Sequence, residues 1–182
     1  MKNFPITIKE DLIVDEENMK GKTVWISRSC AVAGFVFMYL NGIYYILAGK
    51  RGKGCPDYQG YWCCPCGYVD YGETTEEAIR REIHEETGFK CPFCLTLCGI
   101  NDAPTENRQN ITLRYGIILD GSFFDALDNL PELTNANSEP DEVDELHWIP
   151  LEDIGKFKWA FGHEKVIFDV FTKLIIKGHE NI

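Results

Sequence analysis

Residues 67–89 read GYVDYGETTEEAIRREIHEETGF, and this stretch decides the fold. Thr74 followed three residues later by Glu77 is a capping box that opens a helix, and Gly88 is a natural residue to close it, so the spacing predicts a helix over roughly 74–87. Glu82, Glu85 and Glu86 stand at i, i+3 and i+4, which places three carboxylates within one arc of about 100°. Each like-charge pair costs about 0.2–0.5 kcal/mol even in solvent and more where the dielectric is low. The arrangement makes sense if a cation sits against it, and hard oxygen donors favour Mg²⁺ or Mn²⁺ over zinc. Ile79 and Ile83 border the stripe and Ala78 is small enough to sit among the carboxylates, so one flank should pack on a core while the stripe faces a cleft. Arg80, His84 and Glu77 point away. Arg81 lies beside the stripe, where its guanidinium can take a carboxylate bidentately, with Glu73 as the candidate partner. Gly67 would let the backbone turn tightly and bring a carbonyl to the metal.

Gly67, five residues, Glu73, seven residues, then Arg81-Glu82-Ile83, one residue, Glu85-Glu86, one residue and Gly88-Phe89 resembles the signature box of the Nudix hydrolases, with every specified position filled. A looser resemblance runs from about residue 25 to residue 176. What it implies is a single domain over residues 1–182, with its core at about 25–176, folded as an α/β/α sandwich around a mixed sheet. The implied reaction is Mg²⁺- or Mn²⁺-dependent hydrolysis of a nucleoside diphosphate linked to another moiety. Under the same resemblance, Glu82 is the leading general base and Glu85 and Glu86 the leading metal ligands, roles that can interchange. Arg81 and Glu73 join the catalytic set, and the Gly67 carbonyl joins the metal set. Glu142 and Glu145, six and three residues before Trp148, resemble an acidic loop that supplies a further ligand or base in some relatives; Glu142 is carried as a metal ligand.

Periodicity gives the same architecture independently. CAVAGFVFMYL (30–40), Asn41-Gly42 and IYYILAGKR (43–51) read as a β-hairpin with a type I′ turn. YWCCPCGYV (61–69) reads as one strand feeding the box, CLTLCGI (94–100) and ITLRYGIIL (111–119) as two more, and ELHWIPLEDI (145–154) as a short strand and turn. HEKVIFDVFTKLIIK (163–177) repeats apolar residues at Val166, Ile167, Val170, Phe171, Leu174 and Ile175, an amphipathic helix. Residues 121–141, acidic and rich in Asn and Pro, read as a surface loop.

A net charge of −11 opposes sustained contact with a nucleic-acid backbone, which needs clustered Lys and Arg. With neither an 18-residue apolar run nor a signal peptide, the expected setting is cytoplasmic and away from membranes. A homodimer is one assembly this reading allows. The eight cysteines include two C-x2-C pairs, Cys63/Cys66 and Cys91/Cys94, a spacing compatible with structural zinc. Strand alternation should throw Cys63 and Cys66 to opposite faces unless the chain turns at Pro65, so free thiols are the expectation.

Substrate choice is less legible. Pro104, fifteen residues past Phe89, and PTENRQNITLRY (104–115) resemble the corresponding stretch of ADP-ribose pyrophosphatases. WAFGHEKVI (159–167) resembles a segment near the bound base or ribose in some relatives. Phe161 could stack on a base and His163 donate to a phosphate, although Trp159 and its neighbours would serve equally as core and His163 as a helix-start residue. Arg28, Arg51 and Arg108 are candidate phosphate contacts. The resulting expectation is cleavage of ADP-ribose to AMP and ribose 5-phosphate. Nucleoside triphosphates or dinucleoside polyphosphates are alternative substrates, a non-catalytic nucleotide-sugar sensor is the alternative class, and isomerisation of an isoprenyl diphosphate is a third reading.

Overall fold

The structure is a computed structural model and describes residues 4–7, 23–26, 28–91, 93–103, 110–121 and 130–180. Among these, β1 (Phe4–Thr7) and β2 (Thr23–Ile26) pair with each other as a small antiparallel sheet, an element the sequence reading did not assign. The main sheet comprises β3 (Cys30–Leu40), β4 (Ile43–Arg51), β5 (Trp62–Cys63), β6 (Cys66–Tyr68), β7 (Thr96–Asn101), β8 (Ile111–Asp120) and β9 (Val143–Pro150). The path β5-β4-β3-β8-β7 forms its body, with β6 on β3 and β9 on β4. β3 and β8 run parallel while the other pairs are antiparallel, so the sheet is mixed. Helix α1 (Thr75–Thr87) covers one face and α2 (His163–Glu180) the other, giving the expected α/β/α sandwich.

β3 shows why the two layers form. Its burial is nearly continuous, as befits a strand covered on both sides. Val32, Val36 and Met38 join the core under α1 with Leu47, Ile79, Ile83 and Phe89, while Ala33, Phe35 and Phe37 join the core under α2 with Ile46, Ile167 and Val170. Each large side chain so buried contributes about 1.5–3 kcal/mol relative to exposure. The predicted hairpin is present, with Asn41 at φ 51° and Gly42 at φ 83° as a type I′ turn requires.

Residues 61–69 are not one strand. The β3–β4 hairpin pairs only from Phe37–Leu40 to Ile43–Ile46 and then opens into a fork. β5 pairs along β4, with Cys63 opposite Gly49, and β6 pairs along β3, with Cys66 opposite Ala33. Pro65 lies at the break, where it has no N–H to give a ladder, and its carbonyl accepts from the Gly34 N–H at 2.8 Å. The segment therefore reverses inside the fork and delivers β6 directly to the start of α1.

The stretch 121–141 is also more than a surface loop. Residues 122–129 lie outside the described set, but Leu130 and Leu133 pack against the core under α1. The Thr134 N–H donates to the Thr87 carbonyl at 3.0 Å and the Trp148 indole to the Pro131 carbonyl at 2.9 Å, so this segment closes the end of α1. The two leucines sit in polar surroundings without periodicity, which is why the pattern did not show them. Among the described residues no helix is long and apolar enough to cross a membrane.

Candidate active site

Helix α1 starts and stops where its caps dictate. The Thr74 hydroxyl accepts from the Glu77 N–H, the Glu77 carboxylate accepts from the Thr74 N–H, and Gly88 takes the left-handed conformation at φ 70°. Ala78, Ile79 and Ile83 are fully buried and anchor one flank. The glutamates beside them then divide by environment. Glu86 is 7% exposed, whereas Glu85 lies at the rim with 43% of its side chain exposed.

Arg81 organises the stripe. Its Nε and Nη2 hold Glu73 bidentately at 3.2 and 2.7 Å, Nη1 donates to Glu82 at 2.8 Å and to Glu85 at 3.0 Å, and Nη2 also reaches the Tyr68 carbonyl at 3.0 Å. One guanidinium thus ties the loop before α1, the end of β6 and one turn of the helix together. Arg81 and Glu73 form the expected pair, and the geometry makes it a positioning pair. Its hydrogen bond to Arg81 holds the Glu73 carboxyl below the usual range.

Gly67 works differently from the sequence expectation. It is a strand residue in β6 opposite Val32, not a tight turn. Its role is clearance, because a Cβ built there would overlap the Glu82 carboxylate.

Glu86 carries the strongest electrostatic signal. Burial pushes its carboxyl well above the ordinary value, reinforced by charge on Cys63, Glu82 and Glu142, and its opposing hydrogen bond, from the Cys66 N–H, is long at 3.4 Å. Burial also raises Glu82, against the pull of Arg81. Arg51, Cys55, Cys63, Glu86 and Glu142 line one cavity, so the structure brings Glu142 to the helix carboxylates as the sequence suggested. Glu145 instead faces away, paired with Lys50 at 2.6 Å and near His147.

These donors fit a hard divalent cation. A buried carboxylate with a weak partner, two more acids beside it and the clearance at Gly67 are what such an ion would require. Among the described residues no three His, Cys, Asp or Glu side chains are already gathered as a cage, and Arg81 holds the Glu82 and Glu85 oxygens. The same observation applies to the two C-x2-C pairs, which do not converge on a common centre. Cys63 lines the cavity with Glu86, while Cys66 packs against the core under α2.

In metal-free protein the raised Glu86 value destabilises the fold as pH rises. Above the unfolded value of about 4.5 the unfolded chain releases its proton while the folded state still holds one, so stability falls with pH until Glu86 has ionised in the folded state. The expected result is a urea midpoint that declines as pH rises above about 4.5, more steeply in metal-free wild type than in Glu86→Gln. Parallel slopes would contradict it.

The remaining candidates separate. Arg51 lies 4.8 Å over the Phe161 ring, its orientation fixed by the Asp57 carboxylate and carbonyl at 2.9 and 3.0 Å. Phe161 meets Tyr58 at 5.0 Å, and Tyr58 meets Tyr61 at 5.6 Å. Both tyrosines are exposed, and neither was singled out from sequence; the signal was an aromatic pair flanking Gly60 in an otherwise polar loop. Tyr58 and Phe161 both hold left-handed backbone, φ 50° and 58°, an arrangement that costs about 1–3 kcal/mol per residue and marks functional positions more often than others.

His163 is corrected. It is buried in the core under α2 beside Phe35, and its Nδ1 accepts from the Cys64 N–H at 3.1 Å, so it positions β5 rather than meeting a phosphate. Trp159 is likewise core, with its indole donating to the Ile154 carbonyl. Arg28 donates to the Asp102 and Asn110 carbonyls, a structural tie in place of the suggested phosphate contact. Pro104 and Arg108 lie outside the described residues.

A family model described as NUDIX domain matches residues 30–170. An ADP-ribose pyrophosphatase of Methanocaldococcus jannaschii is 29% identical over 157 residues, 86% of this chain and 81% of that protein. Among solved structures, the NUDIX domain of Shewanella oneidensis NrtR complexed with ADP ribose superposes with a TM-score of 0.66 at 19% identity, covering 82% of this chain and 90% of that one. NrtR complexed with a 27mer DNA gives a TM-score of 0.59 at 20% identity, and the match covers 81% of this chain but 63% of that one. At these identities the two structures establish a shared fold.

Proposed function

This chain belongs to the NUDIX domain family, and from that premise we propose that it is a Mg²⁺- or Mn²⁺-dependent pyrophosphohydrolase that cleaves ADP-ribose to AMP and ribose 5-phosphate. The observation that carries the reaction class is the buried, weakly partnered Glu86 set beside Glu82 and Glu142. ADP-ribose is supported by the pyrophosphatase from M. jannaschii, similar over most of both chains, and by the ADP-ribose held by the NrtR domain.

A divalent ion at this site would neutralise diphosphate charge and lower the pKa of a bound water. Glu82, Glu85 and Glu86 would hold it, with the Gly67 carbonyl and Glu142 completing the donor set. Glu82, half-sheltered and raised by burial, takes the proton as water attacks phosphorus, while Arg81 keeps Glu82 and Glu85 in register and Glu73 keeps Arg81 in place. The P–O–P bond breaks, and one phosphate leaves with each product. The adenine ring stacks on Phe161 and Tyr58, with Arg51 spanning the distance from those rings to the carboxylate cavity.

Stacking on this patch is worth about 1–3 kcal/mol, so Phe161→Ala and Tyr58→Ala should each raise KM about tenfold while kcat changes less. Steady-state kinetics on both variants check this, and an unchanged KM would move the base elsewhere. The class is tested by offering a panel of nucleoside diphosphate derivatives with Mg²⁺ and identifying products by mass. Turnover of another nucleotide without AMP from ADP-ribose would replace the substrate and keep the reaction. Tight binding of ADP-ribose without turnover would favour a nucleotide-sugar sensor.

A further inference from the structure

We propose that the loop 52–60 positions Glu142 in the carboxylate cavity, holding it by its main chain through Gly52 and the thiol of Cys55. The assignment rests on the proposed reading of Glu142 as a donor to the cation and names the residues that make it one. Glu142 lies in the turn before β9, so the helix period that aligns Glu82, Glu85 and Glu86 does not place it. Its backbone is committed on both sides instead. The Glu142 carbonyl accepts from the Gly52 N–H at 2.7 Å and from the Cys55 thiol at 3.2 Å, and its N–H donates to the Glu139 carbonyl at 3.1 Å. The preceding carbonyl, of Asp141, accepts from the Gly54 N–H at 2.7 Å, and the following one, of Val143, from the Asn135 amide at 2.7 Å. The carboxylate has a longer contact, 3.3 Å from the Glu139 N–H, and lines the cavity with Glu86 and Cys63. The main chain is thus held more firmly than the side chain, which suits a residue that must turn to meet an ion.

Two departures from regular geometry aim the segment. The ladder between β4 and β9 slips where Lys50 faces Glu145 but Arg51 faces Val143, so Asp144 is the extra residue of a β-bulge. A bulge bends its strand and re-aims what lies beyond it, here the turn that bears Glu142. Asp141 then holds a left-handed backbone at φ 60°, a conformation that persists where the surroundings over-determine it. Gly52 is part of those surroundings. It is buried, and a Cβ there would overlap the Asp141 carbonyl, which is backbone and cannot swing away as a side chain can. Glycine is what lets the two segments approach closely enough for the bond to the Glu142 carbonyl.

The loop is braced well enough to act as an anchor. Its ends are joined by the Gly60 N–H to the Arg51 carbonyl at 2.7 Å and by the Arg51 N–H to the Tyr61 carbonyl at 2.8 Å, while the Gln59 amide donates to the Lys53 and Cys55 carbonyls at 3.0 and 2.8 Å. Asp57, which orients Arg51, and Tyr58, which meets Phe161, ride on the same loop. One segment therefore sets both the acid and the aromatic end of the pocket.

The test measures Mn²⁺ binding by the full chain without substrate, counting free ion by its paramagnetic resonance signal, in wild type, Gly52→Ala, Glu142→Gln and the double variant. Gly52→Ala should weaken binding about tenfold, the lower end of what loss of an orienting partner costs a metal ligand. Glu142→Gln should weaken it at least as much, and the double variant should bind no more weakly than Glu142→Gln, because the glycine acts through that carboxylate. Cys55→Ala should lose about threefold and Cys55→Ser regain it, which reads the same anchor in variants that add no bulk to the turn. Unchanged binding in Gly52→Ala, effects of Gly52→Ala and Glu142→Gln that add in full, or Cys55→Ser no better than Cys55→Ala would each overturn the proposal; the cysteine pair keeps it refutable even where Gly52→Ala does not fold. Absence of Mn²⁺ binding by wild type would overturn the metal-dependent reading beneath it, and the positioning role with it.

Discussion

Glu86→Gln is expected to lower kcat by at least about 10²-fold while the protein stays folded, because the substitution keeps shape and hydrogen bonding but removes the buried carboxylate of the helix from the pocket. The environment of Glu86 makes the direction firm. It is 7% exposed, its carboxyl is pushed well up by burial and by Cys63, Glu82 and Glu142, and its opposing hydrogen bond is a 3.4 Å contact. A charge so placed is unfavourable unless a cation balances it, so its retention fits a ligand better than a structural residue. The neutral amide should therefore leave the metal-free fold as stable as wild type or slightly more so. Kinetics at saturating substrate and Mg²⁺, with a denaturation curve on the same preparation, check both halves. Near wild-type kcat would mean that the carboxylate stripe serves the fold alone.

Gly67→Ala should lower kcat by about 10²-fold through position alone, since displacing a catalytic group by about 1 Å costs that much. The added methyl would overlap the Glu82 carboxylate. That obstacle is the far end of a flexible side chain, so the helix need not move and stability should fall little; Glu82 swings aside and loses its place beside Glu86. Loss of activity with an unchanged melting curve is the expected signature. If Gly67→Ala stayed fully active, clearance would not be what this glycine provides.

The difference between those two positions shows how far sequence reading reached. Helix α1, its caps, its buried flank and the Arg81–Glu73 pair were legible because each rests on a local period or a fixed spacing, and the structure places all of them within one or two residues. The hairpin turn at Asn41-Gly42 and the amphipathic α2 were legible for the same reason. The function of Gly67 was not, because clearance against Glu82 depends on how β6 lies over α1, a tertiary relation that no spacing encodes. The fork at Cys64–Pro65 was half-visible: Pro65 announced a break, but only the pairing of β5 and β6 with different partners shows that the segment is two strands. His163 misled because a buried histidine that accepts a backbone hydrogen bond and one that meets a phosphate are identical in sequence. Tyr58 was missed because its left-handed backbone and its contact with Phe161 appear only in three dimensions.

The central claim is that the carboxylate stripe is a metal-dependent hydrolytic site, and the most direct test is product analysis of ADP-ribose incubated with the protein, with and without Mg²⁺. AMP and ribose 5-phosphate in equal amounts, formed only with the divalent ion and lost in Glu86→Gln, is the predicted result. Equal turnover after chelation, or by the variant, would contradict it.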